Sequence, residues 1–379
     1  MPIREKSQER NFALDLIRVL ALALMVATHV LRNFISDSPG SWGNVARFIG
    51  ESSPVFFFIA FGMTLVHTTS RTGKWRSVLE LGIVALFHQV SPEFGLKFYP
   101  DFFFFLWQML FLTSLFNFLF LNRWFRIALA SAIIFLNLFL LHEHIPILGA
   151  HPFGLMPWSF FVIVGMMFGI NPIPKSWRLR TFLVGLGLIL LGFAINKYGM
   201  RFNILYLRSE ISKWEPTTSP YLLIWTGIAI WTYLLFHHIK YNSNASFSQI
   251  VMNSSRMLLC GAIIHLPITK YATNVLAFSG YNIGNPIPPY MAVLLVVSLC
   301  AAVYVIQLTL ADLKIITLLQ LKSENQFYKF GWIILIILAC ITWYLFLTNP
   351  QNLIIYNLQT LGMILAAFIF VRTPPQQPT

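Results

Sequence analysis

The sequence predicts an all-α integral membrane protein, a polytopic helical bundle of about 10–12 transmembrane helices with both termini cytoplasmic. Three observations predict it. Of the 379 residues, 57% are hydrophobic and only 10% are charged, where a soluble chain carries about 25% charged residues; the mean hydropathy is +0.70. The apolar residues fall in runs of roughly the 20-residue length that a bilayer demands. Lys and Arg gather in the short segments between those runs, as topology signals do.

Taken in order, the runs lie near 12–31, 54–70, 77–91, 101–121, 125–142, 153–170, 179–197, 219–238, 250–270, 289–310, 330–348 and 352–371. The third is short and reads equally as a tilted or re-entrant segment. With the N-terminus inside, the inner segments hold 16 cations, from Arg4, Lys6 and Arg10 to Arg372, and the outer ones hold 8. That bias sets both ends in the cytoplasm. The chain then divides into a cytoplasmic N-terminus (1–11), a transmembrane core (12–310), a C-terminal cytoplasmic loop with a helix pair (311–371), and a disordered tail (372–379) ending TPPQQPT. The first run is too long for a signal-peptide core and no small-residue cleavage site follows it, so it is expected to stay as a helix.

Composition also excludes classes. The net charge of +13 does not mark a nucleic-acid binder, because no dense basic block with interleaved aromatics occurs. Cys260, Cys300 and Cys340 sit singly in apolar runs and read as small buried hydrophobes, not disulfides or metal ligands. The HEH at 142–144 offers too few ligands for a metal, and none is expected. No phosphate-binding glycine loop, dinucleotide fingerprint or zinc-protease motif is present, which argues against an ATP-driven pump or a metalloprotease.

The chemistry candidates start on the first run, NFALDLIRVLALALMVATHV. Eleven residues separate Arg18 and His29, close to three whole helical turns, so the two share one stripe about 16 Å apart along the axis. Asp15, three residues before Arg18, is within ion-pair reach. Such groups in a span usually face a bundle interior or a wet cavity. An interfacial ion pair anchoring the helix end, and an interface histidine, are the competing readings. Most of the other histidines, among them His88 and His265, fall at outer ends, where tolerance of the interface is the plain reading.

The pattern LDLIR, ten residues, then His, followed by ESSPVFFFIAFGMTL, resembles the opening of the transmembrane acyltransferase superfamily. Val19 stands where a glycine is usual. DFFFFLWQMLFLTSL with Gln108, HPFGLMPWSFFVIVGMMFG with Pro157, Trp158, Gly165 and Gly169, SPYLLIWTGIAIW, and MNSSRMLLCGAIIHLPI with Ser255, His265 and Pro267 are similar to segments of the bacterial heparan-alpha-glucosaminide N-acetyltransferase-like branch, which is related to type-3 acyltransferases. The resemblance spans roughly residues 10–310. It implies acyl transfer from acyl-CoA, with acetyl-CoA the expected co-substrate and no metal, to a hydroxyl or amine of a glycan or lipid-linked acceptor. It implies a multi-pass protein of the bacterial inner (plasma) membrane; a homo-oligomer is compatible with it.

His29 matches the family's first-helix histidine and is the expected catalytic group, as base or acyl carrier. Arg18 with Asp15 would organise the donor end, since guanidinium pairs with phosphate. Trp158, Arg256 and His265 are further donor- or substrate-binding candidates, with Glu51 and Gln108 supporting. Interfacial anchoring of Trp158, snorkelling of Arg256 and a helix-start role for Glu51 stand beside those roles. The reading from another class is a secondary transporter or flippase, which also has many spans and sparse intramembrane charges.

Overall fold

The structure, a computed structural model, describes residues 11–34, 41–67, 71–89, 102–138, 153–170, 173–201, 219–242, 245–281, 287–321, 324–349 and 353–371. The described residues form α1 (Phe12–Phe34), α2 (Ser41–His67), α3 (Arg71–Gln89), α4 (Phe102–Leu115), α5 (Asn117–Leu121), α6 (Arg123–Leu138) and α7 (Leu155–Ile170). After a 3-10 turn (Lys175–Trp177) come α8 (Arg178–Arg201), α9 (Ser219–Phe236), α10 (Ser246–Arg256), α11 (Leu258–Phe278), α12 (Pro289–Leu321), α13 (Glu324–Thr348) and α14 (Leu353–Phe370). The expected N-terminal segment before Asn11 and the tail at 372–379 lie outside the described residues.

Five of these helices, α1, α8, α9, α12 and α13, are long and apolar enough to cross a membrane. A sixth span is formed if α10 and α11 are joined, but they bend by 84° at Met257. Shorter apolar helices lie within α2, α4, α7 and α14. The chain is therefore a polytopic helical membrane protein. Among the described residues five or six helices pass as full spans by length and composition, fewer than the twelve apolar runs suggest.

Two of those runs are broken where the sequence shows continuity. The run at 101–121 splits at Phe116, which leaves helical geometry (φ −104, ψ 35). Arg126 Nη1 then donates to the carbonyls of Phe120 (2.7 Å) and Leu121 (3.2 Å), which the ended helix leaves open. The run at 250–270 breaks at Met257, whose carbonyl also receives Gln307 Nε2 from α12 at 2.8 Å. Conversely, α12 runs on to Leu321, so the start of the expected C-terminal loop is helical.

Close backbone approach organises the bundle. A Cβ on Gly62 of α2 would meet the Val162 carbonyl oxygen at 2.0 Å, and one on Gly165 of α7 would meet that of Ile59 at 2.2 Å. With Gly169 against Met63, α7 uses small residues four apart to seat α2, the device membrane helices use where no hydrophobic force drives them together. Phe58, Phe102, Phe105, Phe153 and Trp158 fill the layer beside this seam. α1 packs on α2 and on α9, α10, α11 and α12, which puts the polar stripe of α1 inside the bundle.

At the C-terminal helices, Lys314 of α12 is 2% exposed. Its Nζ donates to the carbonyls of Val371 (2.6 Å) and Ile369 (3.0 Å) and to the Tyr328 hydroxyl (3.0 Å). A cation at the end of α14 suits the negative pole of that helix. The Tyr328 ring in turn carries the Arg76 guanidinium 4.1 Å from its centre, and Arg76 Nε donates to the buried Glu80 at 2.9 Å.

Candidate functional site

The stripe predicted on α1 has two poles. At its N-terminal pole, Asn11 Oδ1 accepts from the Leu14 N–H at 3.3 Å and starts the helix. Asp15 follows in the first turn, where the helix dipole favours a carboxylate, and is 2% exposed. Arg18 lies 3.4 Å from Asp15. Ser255, at the end of α10, donates its hydroxyl to Asp15 Oδ1 and accepts Arg18 Nη1 at 3.2 Å. Arg18 Nη2 donates to Thr64 of α2 at 2.6 Å, and Thr64 donates to its own helix at the Ala60 carbonyl. The pole thus ties α1, α2 and α10 through one carboxylate and one guanidinium.

At the other pole, His29 meets His265 of α11, with ring centroids 5.2 Å apart and planes at 48°. His265 is 1% exposed. Its Nδ1 lies 2.7 Å from the Ala262 carbonyl oxygen. A carbonyl only accepts, so Nδ1 carries the proton and Nε2 of the neutral ring is an acceptor. That Nε2 is buried and has no hydrogen-bond partner among the described residues. His88, near the end of α3, lies within electrostatic range of both His29 and His265 and packs its ring 5.3 Å from Phe103 of α4. Three helices therefore bring three imidazoles to one end of the stripe.

The two poles share a partner: Ser255 and His265 flank the 84° break between α10 and α11. The bend lays α10 across the end of α11 and turns its Ser248, Ser254 and Ser255 inward while Phe247 and Ile250 stay exposed. Arg256 is half-buried on the residue before the break. Trp158 is fully buried in the aromatic layer, against Phe58, Phe153, Phe161 and Tyr221. Gln108 of α4 is half-buried, and its Oε1 finds no partner among the described residues. The Glu51 side chain and the HEH at 142–144 lie outside the described residues.

The structure brings together Asp15 with Arg18, and His29 with His265. It puts Trp158 in the packed aromatic layer by the α2–α7 seam. Thr64 and Gln307 join the polar groups without any signal in the sequence, since each lies alone in an apolar run. His88 carried a signal, its place at an outer helix end, but the interface explains a histidine there equally well.

Fold and site together define a polytopic helical membrane protein with a polar stripe turned inward. No family model, no curated protein and no solved structure matches the chain.

Proposed function

We propose that the chain is a membrane-bound acyltransferase of the bacterial inner (plasma) membrane, moving an acyl group, acetyl being the expected one, from acyl-CoA to a hydroxyl or amine of a glycan or other cell-envelope acceptor. The observation that carries the proposal is the inward stripe of α1, which sets the His29–His265 pair at one end and the Asp15–Arg18–Ser255 cluster at the other. The resemblance of the same segments to transmembrane acyltransferases supports it.

In this reading His29 takes the proton of the acceptor as the acceptor's lone pair attacks the thioester carbonyl. The C–S bond breaks, and the CoA thiolate leaves and regains a proton from the imidazolium. An imidazole suits both steps because its neutral form accepts a proton and its protonated form returns one. His265, its Nε2 open to accept, holds the second place in the pair. Asp15, Ser255 and Thr64 fix Arg18 so that the guanidinium meets the phosphate end of the donor. The span of about 16 Å along α1 is of the order of a long donor with phosphates at one end and a thioester at the other. Arg256, Gln108 and Glu51 would line or support that path, while Trp158 belongs to the packed aromatic layer.

The test is the purified protein with radiolabelled acetyl-CoA and a panel of amino sugars and glycans. His29→Ala is expected to lower transfer about 100-fold or more, with His265→Gln also impaired. Wild-type protein that neither binds nor turns over any acyl-CoA overturns the proposal.

One observation favours the second reading, a secondary transporter or flippase: polar groups converge on the broken α10–α11 helix, as at transporter sites. Proteoliposomes that move a labelled lipid-linked sugar across the bilayer and leave it unacylated would favour it.

A further inference from the structure

The end of the bundle where α9 closes and α8 begins gathers basic side chains that no carboxylate pairs with among the described residues. Lys175 of the 3-10 turn leads into α8, Arg178 and Arg180 open that helix, and His237, His238 and Lys240 follow α9. The two helices are held in direct contact: a Cβ on Gly227 would meet the Gly185 carbonyl oxygen at 2.5 Å, and the Phe182 and Trp231 rings stack at 5.0 Å. Arg178 and His238 both act electrostatically on His237, so one guanidinium and two imidazoles crowd one place. Burial first, then these two neighbours, hold the His237 imidazole below its usual pKa. The sequence has no acidic residue between Glu143 and Glu210, nor between Glu215 and Asp312. Among the described residues none of the six pairs with a carboxylate, and the buried Arg178 Nε has no hydrogen-bond partner.

What lies beside the cluster indicates what fills it. From Thr181 to Asn196 α8 has no charged residue, and it exposes Phe182, Leu183, Val184, Leu190, Leu191 and Phe193. That is a lipid-facing flank starting where the cations stop. Trp177 and Tyr241, both exposed, stand at the boundary, the level aromatic residues prefer in a bilayer. The Arg180 guanidinium lies 5.4 Å from the Trp177 ring centre, within cation–π range.

We infer that Lys175, Arg178, Arg180, His237, His238 and Lys240 form a binding site for the phosphate headgroup of an anionic phospholipid, whose acyl chains lie along the exposed flank of α8. A soluble phosphate compound would use the same cations but would have no use for that flank. The site adjoins the N-terminal end of α1, where Phe12 packs against Tyr241 and Asn11 donates to the Tyr233 hydroxyl, but lipid binding there does not depend on acyl transfer.

Native mass spectrometry of the purified full-length protein, titrated with phosphatidylglycerol or phosphatidylcholine, tests it. Phosphatidylglycerol is expected to bind preferentially, and Lys175→Gln with Arg180→Gln to weaken it roughly 25-fold, about fivefold per cation lost. Both side chains are exposed, so this pair reports even if Arg178→Gln, which removes a partly buried group, does not fold. Lys329→Gln, on an exposed cation of α13, should leave binding unchanged. Equal binding of the two lipids, or wild-type affinity in the double variant, overturns the inference. Displacement of phosphatidylglycerol from these cations by coenzyme A or inorganic phosphate at lower concentration also overturns it, in favour of a soluble ligand. Because binding is read without catalysis, its failure is distinct from failure of the acyltransferase reading.

Discussion

Asp15 and Arg18 are legible in the sequence as a pair, because three residues on a helix bring side chains together. Their partners are not, since Ser255 and Thr64 come from distant segments. Buried pairs gain little over apolar residues of the same size, but losing one member strands the other. With Asp15 and Arg18 side chains only 3% and 18% exposed, Asp15→Asn should cost about 3 kcal/mol. Asp15→Asn combined with Arg18→Met should cost less than the sum of the single changes, because the double change removes the stranded charge. Chemical unfolding in detergent micelles measures all three variants, and strict additivity would show that the pair is not coupled. The histidine pole is half legible by the same logic: helical phase puts His29 on the stripe, but the packing of α11 against α1 that brings His265 to it has no local signal.

The helices themselves were largely visible as apolar runs, and their seams were not. The spacing of Gly165 and Gly169 is plain in the sequence, yet it does not say which helix they meet. In the fold they receive α2, and the carbonyl of Ile59 occupies the place a Cβ at Gly165 would take. A backbone atom cannot swing away as a side chain can. Gly165→Ala must therefore push α2 and α7 apart, at about 1–3 kcal/mol or more. Gly187→Ala is the matched control, since a Cβ there meets nothing within 4 Å; it should be neutral or stabilise by up to about 1 kcal/mol through helix propensity. Thermal melts of both variants check this, and equal melting temperatures would contradict the close-packed seam. Breaks follow the same rule. No proline or glycine stands at Phe116 or Met257; at Met257 the carbonyl is met by Gln307, 50 residues further along the chain, so a tertiary contact accompanies that break.

At the scale of the whole molecule, charge counting reads a membrane topology but cannot separate a loop cation from a buried one. Lys314 counts among the inner-segment charges, yet it is buried in α12 and joins α13 and α14 through partners 14, 55 and 57 residues further along the chain. Nothing local to Lys314 announces them. Two effects oppose each other when it is replaced by methionine, which keeps the length and apolar stem. A desolvated ammonium disappears, which relieves strain. The Ile369 and Val371 carbonyls and the Tyr328 hydroxyl lose their donor, and each buried polar group left unsatisfied costs about 1–3 kcal/mol. Three lost partners outweigh one relieved charge, so Lys314→Met should destabilise the protein by about 2 kcal/mol. The damage should be directional. Amide exchange should quicken in the last turn of α14 and the first turns of α13, while the Asp15–Arg18 pole on α1 keeps its protection. Unchanged exchange in α14, or an equal rise at α1, would show that Lys314 does not fasten the C-terminal helices to the bundle.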